Sequence, residues 1–363
     1  MLDNHVVSSP AERHNKPLFF YWLPKRSRGA PDQVILTLWS GLQRIAPAVG
    51  LKLHPFHNVR DLLRLLRSHG RPDLVYFGKM PVPSISPRSR AFVVALMSGL
   101  PVGTHAHGDI RHELQLLWRS NPLRALAAWP FHSLCPYLLP LHHVVVVNSR
   151  DMARRTQVVG LPESKIHVMP NPVDVTFWTS SPSEEQTFLK FPSIPYIFSH
   201  GRLATEKGYD LLIEGVARSG HNKRIVLAGE GPARTRLGEL ARHHGVPVEF
   251  LGWQSAIQLR TLLRRAEVAI YPSRYEPFSL AALEALLAAP HVLVSNRAGV
   301  LDFLPEDIVR RVSFEPAVDA IADALRRSNP PCLRPYPSLM IFGPEHVART
   351  FVDSILRPVI HAM

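Results

Sequence analysis

Between Tyr196 and Ser295, short apolar runs alternate with stretches of helical spacing, which leaves this chain few ways to fold. Tyr196–Ser199, Arg224–Ala228, Val248–Leu251, Val268–Tyr271 and Val292–Ser295 read as strands. Tyr209–Arg218, Ala233–His243, Ala256–Arg265 and Phe278–Leu287 read as the helices between them. Strands and helices in strict alternation predict an α/β fold with a doubly wound, mainly parallel sheet.

The first half repeats the pattern less regularly. Leu18–Leu23, Leu74–Phe77, Pro101–His105 and Val144–Val147 read as strands, and Gln33–Ile45, Asp61–His69 and Ser89–Ser98 as helices. Asp61–His69 sets Leu62, Leu63, Leu65 and Leu66 against Arg64 and Arg67, a basic amphipathic pattern. Segment 112–143 breaks the alternation. It mixes Trp118, Trp129, Phe131 and Tyr137 with Arg119 and Arg124, and Pro130, Pro136 and Pro140 are expected to prevent one long helix. It reads as an irregular insertion packed on the core, or else as an interfacial segment that touches a membrane.

A chain of 363 residues exceeds one ordinary core, so two domains are expected. The divisions fall at a tail over 1–16, a first domain over 17–172, a second over 173–340 and a terminal segment over 341–363. The hinge is placed at Met169–Asp174, where Pro170 and Pro172 favour an extended connection. Cys135 and Cys332 form neither a metal-binding spacing nor a disulfide framework, which suits a reducing compartment. The first 16 residues lack the apolar centre of a signal peptide, and no run reaches the length of a membrane span. A cytoplasmic location is therefore expected.

Charge separates the two halves. Residues 1–172 hold 21 Lys and Arg against 9 Asp and Glu, or +12 of the formal +13; the rest holds 21 against 20. That asymmetry predicts an anionic partner for the first half, such as a membrane surface or a phosphorylated lipid. Nucleic acid is the weaker candidate, because no recognition motif accompanies the charge. No residue pattern speaks to oligomeric state.

Two glutamates mark a site in the second half. Glu276 and Glu284 lie in Tyr-Pro-Ser-Arg-Tyr-Glu-Pro-Phe-Ser-Leu-Ala-Ala-Leu-Glu-Ala-Leu-Leu (271–287), where a strand runs through a loop into an apolar helix. Open α/β sheets bind ligands beyond the carboxyl ends of their strands. A helix amino terminus suits phosphate, and carboxylates suit sugar hydroxyls. Taken alone, Glu276 is equally a helix-start carboxylate and Glu284 a solvated one. The flanking Ala281, Ala282, Leu283, Ala285, Leu286 and Leu287 argue against solvation as the reason for Glu284.

An ordered set of short motifs then adds a resemblance. These are Gly201-Arg-Leu203 with Glu206-Lys-Gly208, Leu227-Ala-Gly-Glu-Gly-Pro232, Phe250-Leu-Gly252, Ala269-Ile-Tyr-Pro-Ser273, Glu276-Pro-Phe-Ser-Leu-Ala-Ala-Leu-Glu-Ala285, and Val294-Ser295 with Gly299. In this order they resemble the retaining, GT-B-fold "glycosyl transferases group one" family, of the bacterial cell-surface polysaccharide type. In the first half His105-Ala-His-Gly-Asp109, Val147-Asn-Ser149 and Asn171-Pro-Val-Asp174 match less closely.

The resemblance implies two Rossmann-like domains facing a cleft, with the terminal segment packing back toward the first. It implies metal-independent, retaining transfer of a sugar from a nucleotide-diphosphate sugar to an acceptor hydroxyl, with no cofactor. Arg202 and Lys207 match the basic pair that binds the donor diphosphate, and Glu284 the residue that binds its ribose. Glu276 matches the residue on the transferred sugar. The backbone N–H groups of Phe278, Ser279 and Leu280 are expected to face sugar or phosphate, and Gly29-Ala30 is the candidate phosphate loop. His107 is the first-half candidate beside the reacting groups, with His105 expected on the opposite strand face and Asp109 as an orienting partner. The charge of the first half adds a saccharide acceptor carried on an anionic lipid, at the inner face of the cytoplasmic membrane. Three positions depart from the family: Ala30, Ser279 and Ala289 stand where glycine is usual. They favour the alternative, a non-catalytic GT-B module that binds nucleotide or joins an assembly; the retained Arg202, Lys207, Glu276 and Glu284 oppose it.

Overall fold

A computed structural model of the chain describes residues 16–25, 29–80, 86–108, 122–158, 160–180, 195–220, 223–326 and 337–362, with Gln115 and Trp118. The expected tail apart from Lys16, residues Arg26–Arg28 before the first helix, Asp109 and Cys332 lie outside the described residues. The chain forms two compact units. The first comprises Met1–Val147, Met152–Pro172 and Pro344–Met363; the second comprises Asn148–Asp151 and Val173–Gly343.

The first unit is built on a six-stranded parallel sheet in the order β2-β1-β3-β4-β5-β6. Its strands are β1 (Leu18–Trp22), β2 (Lys52–Phe56), β3 (Leu74–Phe77), β4 (Val102–Ala106), β5 (Val144–Val147) and β6 (Ile166–Val168). Both β2 and β6 go beyond the expected strands. Each is an edge strand, half exposed, so neither shows the continuous apolar run of a central strand. The edge position also admits Pro55, which has no N–H for a second neighbour. Helix Ala30–Val49 covers one face and receives the terminal helix Pro344–Phe351. Gly41 allows that approach, since a Cβ there would stand 2.1 Å from the Pro344 carbonyl oxygen. Phe351 packs its ring 5.7 Å from Phe19 and 5.0 Å from Tyr76, and the chain continues through a π-helical turn, Val352–Leu356, into Arg357–His361.

Segment 112–143 departs from expectation. Residues Pro122–Leu138 form one helix that contains Pro130 and Pro136. A proline removes one intrahelical hydrogen bond without compelling the helix to stop. The helix is not packed on the core along its length, for Leu123 is 81% and Tyr137 77% exposed, with Leu126 and Trp129 also in solvent.

The second unit is a parallel sheet in the order β12-β11-β10-β7-β8-β9. Its strands are β7 (Tyr196–His200), β8 (Arg224–Ala228), β9 (Val248–Gly252), β10 (Val268–Tyr271), β11 (Val292–Ser295) and β12 (Ser313–Phe314). The order doubles back at β7: the chain runs outward through β8 and β9, then returns to lay β10 on the other side of β7. The first sheet doubles back likewise between β1 and β3. Such reversals open a crevice at the carboxyl ends of the two central strands. No helix among the described residues is long and apolar enough to cross a membrane.

Candidate functional site

In the second unit the crevice lies at the ends of β7 and β10, at His200 and Tyr271. Beyond β7 the chain enters Gly201–Gly208; beyond β10 it enters Pro272–Ser279 and then helix Leu280–Ala288. The two loops are tied to each other. The Arg274 N–H donates to the Glu206 carbonyl at 2.8 Å, and the Arg274 guanidinium clasps both Asp210 carboxylate oxygens at 2.6 and 2.8 Å. Burial raises the Asp210 carboxyl, but the Arg274 contacts outweigh it and hold the group below its ordinary value. Gly208 is the point of closest approach. Its φ is 69°, and a Cβ would stand 2.1 Å from the Pro272 carbonyl oxygen.

This crevice holds three of the sequence-predicted residues in two pairs, one of which is completed by a histidine. Lys207 Nζ bonds Glu276 Oε2, with the side chains only 23% and 11% exposed. Glu284, on the apolar helix, receives His200 Nε2 at 2.8 Å and is itself largely buried. His200 Nδ1 meets the Tyr271 hydroxyl at 2.8 Å. Burial, and then the Glu284 charge, push the Tyr271 hydroxyl well above its ordinary value, so it keeps its proton and donates to Nδ1. That leaves the imidazole N–H at Nε2, aimed at the Glu284 carboxylate. His200 and Tyr271 were missed from sequence. The available signal was a histidine closing a buried strand just before Gly201-Arg202, since a buried imidazole requires partners.

Arg202 stands apart. Its guanidinium pairs with Glu206 and is 62% exposed, so it sits at the rim. At the helix start Ser279 has φ 80° and ψ 80°, the sole positive φ on a non-glycine among the described residues. It thus takes the backbone conformation that glycine takes readily, and its Oγ accepts the Ala282 N–H at 3.2 Å. The Leu280 and Ala281 N–H groups, in the helix's first turn, have no intrahelical acceptor by geometry. Phe278 is buried, and its carbonyl accepts the Val300 N–H at 2.7 Å. Ala289 ends the helix at φ −84°, an ordinary backbone, so the missing glycine costs nothing there. Gly299 has a steric reason: a Cβ would stand 2.1 Å from the Pro277 carbonyl oxygen.

In the first unit the crevice lies at the ends of β1 and β3 and holds a cavity of about 600 Å³. Gly29, at φ 145°, precedes helix Ala30–Val49 and lines this cavity, and Ala30 is the first helical residue. His107 follows β4. Its Nε2 donates to the Gly78 carbonyl at 2.8 Å, which leaves Nδ1 as the lone-pair nitrogen. Burial lowers its pKa to about 4, with the Gly78 bond opposing, so the ring is neutral near pH 7. His105 lies on the same face as His107, not the opposite one: the rings stack with centroids 4.1 Å apart. Residues two apart on a strand share a face.

These arrangements occur in a chain with known relatives. The model described as "Glycosyl transferases group 1" matches residues 182–328, and that described as "Glycosyltransferase Family 4" matches residues 12–177. The uncharacterised glycosyltransferase YqgM of Bacillus subtilis is 29% identical over 233 residues, which are 62% of this chain and 61% of that protein. The GDP-mannose-dependent alpha-(1-6)-phosphatidylinositol dimannoside mannosyltransferase of Mycobacterium tuberculosis is 37% identical over 130 residues, 35% of this chain and 33% of that protein. The chain thus spans less than two thirds of the length of either relative. Anabaena HepE, solved with UDP and glucose, superposes with a TM-score of 0.64 at 14% identity, covering 93% of this chain and 98% of its own. One matched model covers residues 12–177 and the other residues 182–328, so each half of the chain is similar to glycosyltransferases, and its two Rossmann-like units have the GT-B architecture.

Proposed function

We propose that this protein transfers a sugar from a nucleoside diphosphate sugar to an acceptor hydroxyl, with retention of anomeric configuration and without a metal ion. The observation that carries the reading is the pairing of Lys207 with Glu276 and of His200 with Glu284 at the crevice of the second sheet. Glu284, oriented by His200, accepts hydrogen bonds from the ribose hydroxyls. Lys207 and Arg202 neutralise the diphosphate as it departs, taking the part a divalent cation plays elsewhere. In the free protein each cation already has a carboxylate partner, so the donor draws Lys207 from Glu276 and leaves Glu276 to the hydroxyls of the moving sugar. The N–H groups of Ser279 and Leu280 face sugar or phosphate at a helix amino terminus. His107, neutral and with Nδ1 as acceptor, orients the acceptor hydroxyl, and a donor phosphate oxygen takes the proton.

A lipid-linked saccharide in surface polysaccharide assembly, met at the inner face of the membrane, is the acceptor setting we propose. The charge of +12 over residues 1–172 supports it, as do the exposed Leu123, Leu126, Trp129 and Tyr137. A relative acting on a phosphatidylinositol mannoside, by its name, has an anionic lipid acceptor.

Hydrolysis of UDP-, GDP- and ADP-sugars by the purified protein tests the reading. One donor should be cleaved, with Lys207→Ala and Glu276→Ala lowering the rate by about a hundredfold or more. NMR of the product should show the anomeric configuration of the donor. Cleavage that survives both substitutions, or an inverted product, would refute it.

A further inference from the structure

The cavity of the first unit has chemistry of its own. Lys25, Lys79 and Arg88 line it against a single carboxylate, Asp32. None of the three cations makes an ion pair among the described residues, in contrast to Arg202 and Lys207 in the second unit. Arg88 is the most constrained of them. Its guanidinium lies 5.3 Å from the centroid of the Trp22 ring, and its Nε is buried without a hydrogen-bond partner. A buried guanidinium nitrogen with no acceptor is costly unless a ligand supplies one. Gly29, the residue before helix Ala30–Val49, lines the same wall and gives that helix no side-chain cap. The Lys79 and Arg88 charges also act on His107, which places the cavity beside the proposed reacting group.

We propose that this cavity is the acceptor's anion pocket: it binds a phosphate group on the acceptor through Arg88 and Lys79, with Trp22 as the platform for the group next to the phosphate. The inference rests on the transferase reading and adds to it a substrate class, a phosphorylated acceptor. A phosphate fits because its oxygens can accept from the Arg88 guanidinium and from Lys79, which line the same cavity, and its charge offsets the excess of cations over Asp32. An uncharged saccharide offers hydroxyl acceptors but no charge to offset the cations. The phosphate belongs either to a lipid or to a soluble sugar phosphate, and the two differ in what lies on Trp22.

Calorimetric titration of the full chain decides the matter, with glucose 1-phosphate, monomeric decyl phosphate, uncharged decyl glucoside and UDP as probes. Both phosphates should bind and the glucoside should be weaker by about tenfold or more. Preference for decyl phosphate assigns the lipid source, and preference for glucose 1-phosphate the soluble one; either supports the pocket. Arg88→Gln and Lys79→Gln should each weaken phosphate binding by about tenfold, with Arg88→Lys recovering part of it and UDP unaffected. Lys207→Ala should do the reverse. Phosphate binding unchanged in the Gln variants, a glucoside as tight as the phosphates, or loss of UDP in place of the phosphates would overturn the proposal. UDP failing to bind while the phosphate results hold would remove the donor reading and leave the anion pocket standing.

Discussion

His200 joins two groups that are 71 and 84 residues distant in sequence, the Tyr271 hydroxyl and the Glu284 carboxylate. His200→Ala leaves both without that partner. It should cost about 1–3 kcal/mol in denaturant unfolding and weaken nucleoside diphosphate binding about tenfold, because Glu284 is no longer held. Ser279 tests backbone and cap separately. Ser279→Ala loses the Oγ bond to Ala282 and keeps the positive φ, so it should destabilise by about 1 kcal/mol. Ser279→Gly relaxes the backbone and caps nearly as well, and should unfold no more easily than the native protein. His107 gives a pH signature. Its folded pKa of about 4 lies below the ordinary 6.5, so between those values the unfolded chain binds a proton that the folded chain refuses. Stability should therefore fall as pH drops from about 6.5 to about 4, and His107→Gln should flatten that slope. His105, lowered by burial, adds to the slope in the same direction.

Elements that fill the cores were legible in the sequence, and elements that border them were not. Each central strand of the second sheet announced itself as a continuous apolar run, because both its faces are covered. Strands Lys52–Phe56 and Ile166–Val168 lie at sheet edges, where half-exposed residues and Pro55 erase that signal. The polar helix Arg150–Val158 was missed for the same reason. The site was legible as motifs but not as pairs: the loops that join Lys207 to Glu276 come from different strands and are brought together at Gly208 and Arg274. Gly208→Ala forces a Cβ against the Pro272 carbonyl at a positive φ. It should lower stability by about 2 kcal/mol or more and weaken donor binding together, read by denaturant unfolding and calorimetry. The terminal helix is core rather than tail. Phe351→Ala should cost about 3–5 kcal/mol in denaturant unfolding.

Across the whole molecule the two units divide the chemistry by charge. The second is nearly balanced, and the site cations it presents are held by carboxylates; the first carries the excess positive charge and an apolar, aromatic helix in solvent. Sedimentation with vesicles should show binding to anionic but not neutral lipid, weakening as salt rises, and diminished by replacing Trp129 and Tyr137 with serine. Donor recognition, by contrast, should depend on no lipid. Thermal unfolding with UDP, GDP and ADP, all at the same concentration, measures it directly in the native protein and in Glu284→Gln. One nucleoside diphosphate should raise the unfolding temperature by several degrees in the native protein and by little in Glu284→Gln. An equal rise in both proteins, or no rise with any of the three, would contradict the assignment of the second unit as the donor site.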